Sequence, residues 1–476
     1  MKKTLLICLL VSVIFACKTD KKEETKAVKE EVKELASISD SVLENAVIYE
    51  ANIRQYSNEG TFDAFTKDIP QLKQLGVKII WLMPIFPISE TKRKATGGDF
   101  ASLIEDEATR NRMLGSYYAV TDFTKVNPEF GTKEDFRDLV KTAHDNGIYV
   151  ILDWVPNHTG WDHIWLKTNP EFYTKNAKGE ITDPLNEDGT PVGWADVADL
   201  NYESEGLRTE MIKDMSYWIT DEYVDGFRCD VAGSVPTSFW QQAIPQLRTK
   251  KNVFMLAEAW EPELLKDNLF DMAYGWDTHH VMNHISQGEE TVDAWDKRMK
   301  AVSEMYEADD IMMNFVTNHD ENSWNGTVKE RMGDASEEML ALSYIAPGMP
   351  LIYSGQEYDL DHRLLFFEKD SFPHTKGKVW PLLEKLGKLK NTSSALNGGK
   401  NAASYNKIET ENKDVLVFKR SKGGSTVTFV GNLSDKEQTI NNILEGTFLD
   451  YMANEKVEFK EETLRLKPWE YKILMD

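Results

Sequence analysis

The chain has 476 residues, 41% of them apolar and 11% aromatic, enough to bury a large core and more than one core normally fills. A formal charge of −24 provides no basic footprint, which argues against nucleic acid and anionic membrane surfaces as partners. Three cysteines are too few for a disulfide framework.

The chain opens with Met1-Lys2-Lys3 and an apolar run over 5–16, the charged and short apolar regions of an export signal. That run is too short to span a membrane as a mature helix. It ends Ile14-Phe15-Ala16-Cys17, which resembles a bacterial lipobox. The resemblance implies a signal peptide over 1–17 and a lipid anchor on Cys17, hence an exported, membrane-anchored lipoprotein at the cell surface or in the periplasm. An ordinary signal cleaved nearby is the alternative. Residues 18–39 are rich in Lys and Glu without an aromatic, which predicts a solvated tether. No later segment is long and apolar enough to span, so membrane contact is expected through the anchor only. Cys8 leaves with the signal, and Cys229 remains as one buried thiol.

From residue 45 onward, short β-rich runs alternate with helical ones, which predicts α/β structure with a parallel sheet. Strands are expected at 46–50, 77–82 and 148–152, around 226–230, and at 253–257, 270–274, 311–316 and 350–353. Phe62, Phe65, Ile69, Leu72 and Leu75 recur at helical spacing and stop at Gly76. Further helices are expected over 136–146, 207–223, 236–249 and 292–307. A polar insertion at 91–113 reads as a long surface loop. Residues 158–205 carry Trp, Pro, Gly and Asp without helical period, which predicts a small inserted domain. Eight strands with intervening helices predict a (β/α)8 TIM barrel over 40–394. Beyond 395 alternating strands take over, so an antiparallel β domain is expected to the C-terminus.

Polar residues interrupt these strands at their C-terminal ends. Asp153 and His158 follow the third, Arg228 and Asp230 lie in the fourth, Glu258 ends the fifth, and His319 and Asp320 end the seventh. A barrel allots roughly 30 residues to each βα unit. Asp230 to Glu258 spans one unit and Glu258 to Asp320 two, which puts all of them on the face that hosts active sites. Several acids among imidazoles and a guanidinium suit glycoside hydrolysis, in which one carboxylate attacks the anomeric carbon and another carboxyl protonates the leaving oxygen. Arg228 is expected to keep Asp230 ionised by lowering its pKa. Glu258, flanked by Ala257, Ala259 and Trp260, is expected to be raised by desolvation. Metal-dependent hydrolysis is the rival, weakened by the fixed positive charge of Arg228 and by the lack of an H-E-x-x-H pair. His279, His280 and His284 read as ordinary imidazoles at a helix start.

Four stretches, Asp153-Trp154-Val155-Pro156-Asn157-His158, Gly226-Phe227-Arg228-Cys229-Asp230, Glu258-Ala259-Trp260 and Phe315-Val316-Thr317-Asn318-His319-Asp320, resemble in type, order and spacing the signature regions of the α-amylase family. The resemblance implies a (β/α)8 barrel, a domain B over 158–205 after the third strand, and a C-terminal antiparallel β-sandwich. It implies Asp230 as nucleophile, Glu258 as general acid/base and Asp320 as the third acid on the reactive sugar. Arg228 would hold the nucleophile, His158 and His319 would hydrogen-bond that sugar, Tyr118 would stack on it, and Asp153 would support the site floor. The expected activity is retaining, endo-acting hydrolysis of α-1,4-glucosidic bonds in starch-like glucans or maltodextrins. The alternatives are transfer or isomerisation of maltooligosaccharides at the same site, and a non-catalytic glucan-binding lipoprotein, which the complete set of acids opposes. Many starch-cutting members carry Lys-His shortly after the nucleophile, where this chain has Val231-Ala232-Gly233-Ser234, closer to the neopullulanase and cyclomaltodextrinase branch. Asn157 and Asp199 are carried over as calcium ligands, and no organic cofactor is expected. One or two of Trp161, Trp165, Trp194 and Trp260 are expected to stack on sugars.

Overall fold

The computed structural model describes residues 36–186, 188–441, 443–460 and 463–476. The expected signal peptide with Cys17, and most of the expected tether, lie outside the described residues. Eight parallel strands close into a barrel: β1 (Val47–Ala51), β2 (Val77–Leu82), β3 (Tyr149–Trp154), β4 (Gly226–Cys229), β5 (Phe254–Ala257), β6 (Met272–Tyr274), β7 (Ile311–Asn314) and β8 (Met349–Tyr353). They neighbour one another in sequence order, with β1 pairing to both β2 and β8.

Alternation along each strand sorts the side chains into two layers. Ile48, Ile79, Ile151, Leu256, Met313 and Leu351 point inward as one apolar cluster, while Val47, Ile80, Val150 and Met255 face the surrounding helices. The short helix Asp40–Leu43 and Ile38 close the bottom of the inner cluster. By the same alternation, Phe227 and Cys229 of β4 belong to the outer layer, and Arg228 between them enters the barrel. At the start of β4, buried Asp225 accepts from His144 (2.8 Å), Lys251 (2.7 Å) and the Val150 amide (2.7 Å), which fixes the strand from below.

The expected helices appear as Lys133–Asp145, Glu205–Thr220, Thr237–Arg248 and Val292–Met305, whereas the run over 62–75 breaks into Phe62–Thr66, Ile69–Leu72 and a single turn. Lys133–Asp145 starts in a capping box between Thr132 and Asp135. The turn Lys73–Leu75 ends at Gly76, whose φ of 79° is the left-handed region that glycine adopts at no steric cost. The helix Trp276–Ser286 extends well beyond the start expected around His279.

Residues after β3 form an irregular lobe around a two-stranded ribbon, His158–Gly160 with Val197–Asp199. C-terminal to the barrel, Ser404–Lys407, Val415–Lys422, Ser425–Asn432, Tyr471–Met475, Gly446–Asp450 and Glu455–Phe459 make a six-stranded antiparallel sheet in that spatial order, accompanied by the pair Gln438–Asn441 and Thr463–Leu466. Barrel and sheet belong to one compact unit. Buried Arg420 stitches the sheet to the barrel through backbone carbonyls, and buried Lys390 likewise ties the last barrel helix to the segment before β8 and to the turn beyond that helix. Arg420 donates to Ile345 O (3.1 Å) and Asn397 O (2.8 Å), and Lys390 to Gly348 O (2.8 Å) and Leu396 O (2.6 Å).

Gly226 sits where β4 crosses β5 most closely, and a Cβ there would meet the Phe254 carbonyl oxygen at 1.9 Å. Backbone cannot yield as a side chain can. Gly226→Ala is therefore expected to destabilise the protein by about 3 kcal/mol or more, read as a lower midpoint in denaturant unfolding, and an unchanged midpoint would refute this tight approach.

Candidate active site

Arg228 is the hub of the site. Its Nη1 lies 2.8 Å from Asp153 Oδ1 and 3.0 Å from Asp230 Oδ1, its Nη2 lies 2.8 Å from Glu258 Oε1, and its Nε donates to the Tyr274 hydroxyl at 3.1 Å. The guanidinium is fully buried, with the Trp81 ring 4.9 Å away. Register explains the convergence, because Asp153 pairs with Arg228 across β3 and β4, and Cys229 pairs with Ala257 just before Glu258.

Asp153 is the floor. Its second oxygen accepts from Trp81 Nε1 (3.1 Å) and from the Tyr118 hydroxyl (3.2 Å). Burial raises its carboxyl to about 6, against the lowering pull of Arg228. Asp230 departs from the sequence expectation. Burial and then the neighbouring Glu258 push its pKa well above the usual carboxylate range, and they outweigh Arg228. One guanidinium serves three carboxyls, so proximity to Arg228 does not suffice to lower Asp230.

Backbone holds these two acids in place. Asp230 N donates to Trp154 O at 2.8 Å, and Glu258 N to Cys229 O at 3.0 Å. Between them Val231 adopts φ 38° and ψ 47°, a left-handed conformation that is strained for a β-branched residue. That turn aims the Val231 N–H at Glu258 Oε2, 2.8 Å away. Sequence reading did not single out Val231, because no composition signal marks a strained valine.

A second charge centre lies across the cleft. His319 Nδ1 is 2.5 Å from Glu50 Oε1, and its Nε2 is 2.9 Å from the Tyr118 hydroxyl and 3.4 Å from Asp320 Oδ2. Burial lowers the His319 imidazole, but Asp320 and Glu50 outweigh it and hold the pKa at about 9. As an imidazolium, His319 donates from both nitrogens, so Tyr118 accepts from it while donating to Asp153. Glu50, fully buried on β1, was not among the residues read from sequence. Its only signal was a lone charge in an apolar strand.

Behind Asp320, a π-helical turn over Glu321–Asn325 is pinned by Glu321, which is 3.1 Å from His279 Nε2 and 3.5 Å from Arg331 Nη1. His279 Nδ1 also meets Phe315 O at 2.9 Å. His279 thus braces the end of β7, His280 stacks on Trp276, and both are structural imidazoles as expected.

These groups line a cleft of about 660 Å³ that includes Tyr118, His158, Asp230, Glu258, His319 and Asp320. Burial lowers His158 to about 3, so it stays neutral. Of the four tryptophans, Trp194 lines the cleft edge-on to His158, and Trp260 stands 55% exposed beside Glu258. Trp165 is core, and Trp161 lies under Lys92. Trp324, 51% exposed, lines the cleft and was missed, because its turn has no periodic pattern.

Asn157 and Asp199 flank the base of the domain B ribbon. The Asn157 amide is turned to His158 Nδ1 at 3.3 Å, and Asp199 is a single carboxyl raised to about 6, mainly by burial. Among the described residues no three His, Cys, Asp or Glu side chains gather as a metal-holding group. Calcium takes about six to eight oxygens. Of these, the Asn157 amide and the Asp199 carboxyl would supply at most three.

A closed eight-stranded barrel with a carboxyl pair and a third acid at its C-terminal mouth defines a glycoside hydrolase architecture. The chain belongs to the alpha-amylase family: the family's "Alpha amylase, catalytic domain" matches residues 32–182 and 191–376, well over half of the sequence. An alpha-amylase of Haloarcula japonica is 27% identical over 326 residues, 66% of this chain and 44% of that protein, so the chain spans less than half of that relative. Alpha-amylase 3 of Dictyoglomus thermophilum is 24% identical, with 87% of this chain and 90% of the relative covered. Among solved structures, an alpha-amylase from Lactobacillus plantarum superposes with a TM-score of 0.79 at 29% identity, covering 92% of this chain and 100% of that one. A maltogenic alpha-amylase from Thermotoga neapolitana gives 0.77 at 27%, covering 90% and 98%.

The His319 charge is present at low pH and is lost as pH rises through about 9. Glu50→Gln keeps an acceptor for Nδ1–H but removes a negative charge. An NMR titration of the His319 ring should then show its pKa falling by about one unit, roughly 1.4 kcal/mol of interaction, and an unmoved titration would dismiss Glu50 as the group that holds the charge.

Proposed function

We propose that the protein hydrolyses α-1,4-glucosidic bonds in starch-like glucans or maltodextrins, with retention, through a covalent glycosyl-enzyme intermediate. The observation that carries this reading is that Asp230 and Glu258 share one buried guanidinium, each on a different terminal nitrogen. The shared cation places both carboxyls in one site, as attack by one with proton delivery by the other requires.

In the first step the Asp230 carboxylate bonds to the anomeric carbon while Glu258 delivers its proton to the departing glycosidic oxygen. Burial and the neighbouring Glu258 raise the Asp230 carboxyl in the free site. A substrate that seats its oxygen on Glu258 places the proton there and leaves Asp230 ionised against Arg228. In the second step Glu258 takes a proton from water, the water oxygen bonds to the anomeric carbon, and Asp230 leaves. The His319 imidazolium and Asp320 address the hydroxyls of the same sugar, and Tyr118 offers its ring face, because flat apolar faces suit pyranose rings. The names of relatives support the substrate class, since they include alpha-amylases and a cyclomaltodextrinase.

A second reading is transfer, in which a sugar hydroxyl replaces water in the second step. Exposed Trp260, two residues after Glu258, favours it by offering an apolar platform on the acceptor side. Two 4-alpha-glucanotransferases are also among the relatives.

Asp230→Asn and Glu258→Gln should each reduce turnover of maltooligosaccharides by about 1,000-fold or more, and near wild-type rates in either variant would sink the assignment. Product sizing on maltotriose in the same assays separates the two readings, since hydrolysis gives only shorter sugars and transfer also gives longer ones.

A further inference from the structure

Residues 91–113, read from sequence as a plain surface loop, form a strap with its own small core of Ala95, Ala101 and Met113 packed against Ile104. The strap contains the helix Glu107–Arg112 and is fastened on two sides. Toward domain B, Lys94 Nζ pairs with Asp196 Oδ1 at 3.4 Å and donates to Gly193 O at 3.0 Å, and the amides of Glu90 and Thr91 both donate to Asp162 at 2.8 Å. Toward the loop after β8, Thr96 Oγ1 donates to Glu368 Oε1 at 2.9 Å, Arg112 lies 3.4 Å from the other Glu368 oxygen, and Leu114 N donates to Phe367 O at 2.7 Å.

Because it joins the loop after β3 to the loop after β8, the strap runs over the arc of the barrel mouth made by β3, β2, β1 and β8. Glu258 stands on β5, in the opposite arc. A general acid sits on the leaving-group side of the bond it protonates. The leaving sugars therefore depart over the β5 side, and the non-reducing end of the substrate points at the strap. Along that direction Tyr118 and Phe366 present nearly parallel faces, with 9° between planes and 6.4 Å between centroids, and Trp324 leans on Phe366 at 5.0 Å. Flat faces therefore continue past the reactive sugar, and the strap residues Lys94, Gly97 and Gly98 then bound the cleft.

We propose that the strap closes the cleft beyond the non-reducing end, so that the protein removes short units from that end of a maltodextrin instead of cutting within the chain. This rests on the hydrolase reading above and reverses the endo action expected from sequence. Binding energy on that side is confined to the few sugars that fit before the wall, so a chain extended or capped there clashes with the strap instead of gaining contacts.

The test uses the full chain with two substrates, maltoheptaose with a free non-reducing end and maltoheptaose capped there by a 4,6-O-ethylidene group. The capped sugar should turn over at least about tenfold more slowly. A variant with residues 95–111 replaced by two glycines should cleave both within about threefold of one another. Equal rates on the two substrates with the unaltered protein overturn the proposal, and that comparison decides even where the shortened strap fails to fold. A folded variant that still rejects the capped sugar overturns it as well. Turnover of neither substrate overturns the hydrolase reading itself, and this inference with it.

Discussion

The buried Arg228 guanidinium is the interaction on which the rest of the site depends. Asp153, Asp230 and Glu258 come from three adjacent strands, and each reaches the same cation. Taking three carboxyls out of water around one positive charge is tolerable only if that charge is central and the remaining oxygens find donors. The barrel supplies both conditions. Alternation on β4 sends Arg228 inward, and Trp81, Tyr118 and the Val231 amide complete the shells of Asp153 and Glu258. Removing the cation would strand buried charge, a loss of about 3–5 kcal/mol for a broken buried pair. One cation does not offset three carboxyls, and Asp230 stays raised well above the usual carboxylate range.

The second centre solves a different problem. His319 keeps a charge although it is buried, and burial alone would strip its proton. Glu50 on one nitrogen and Asp320 beside the other reverse that balance. The imidazolium then orients the Tyr118 hydroxyl, which in turn donates to Asp153, so the two centres are joined through one tyrosine. Glu321, His279 and Arg331 keep the turn after Asp320 from shifting, which explains charged residues that touch no part of the cleft.

Much of this was legible in the sequence. Strand runs, glycine stops and the placing of Asp153, Arg228, Asp230, Glu258, His319 and Asp320 at strand ends follow from periodicities of two and 3.6 residues and from the rarity of charge in buried strands. Glu50 was invisible because its partner lies 269 residues away, and pairing at that distance leaves no local pattern. Lys390 and Arg420 were hidden for a related reason. Their partners are carbonyl oxygens, which every residue carries. The strap looked like a loop because its apolar residues are few and irregularly spaced, and their value appears only once domain B and the loop after β8 are brought to either side of it. The direction of the Asp230 shift was misread because a pairwise argument from Arg228 cannot count how many acids share it.

The stretch after the nucleophile carries the last link between architecture and chemistry. Val231 holds a left-handed turn, Ala232 N donates to Glu258 O at 3.1 Å, and Gly233 lies so near Glu261 that a Cβ would sit 2.9 Å from its carboxylate oxygens. Nucleophile and acid are thus spaced by main-chain bonds, which do not change rotamer when substrate arrives. The strain at Val231 fits this role, since a relaxed backbone would point its amide elsewhere and free the Glu258 carboxyl to swing. Gly233 keeps Glu261 close without a side chain between them, and Trp260 beside it stands exposed. With the strap across one arc and Glu258 on the other, the two ends of a bound sugar chain meet different surroundings, a wall at the captured end and the general acid at the leaving end.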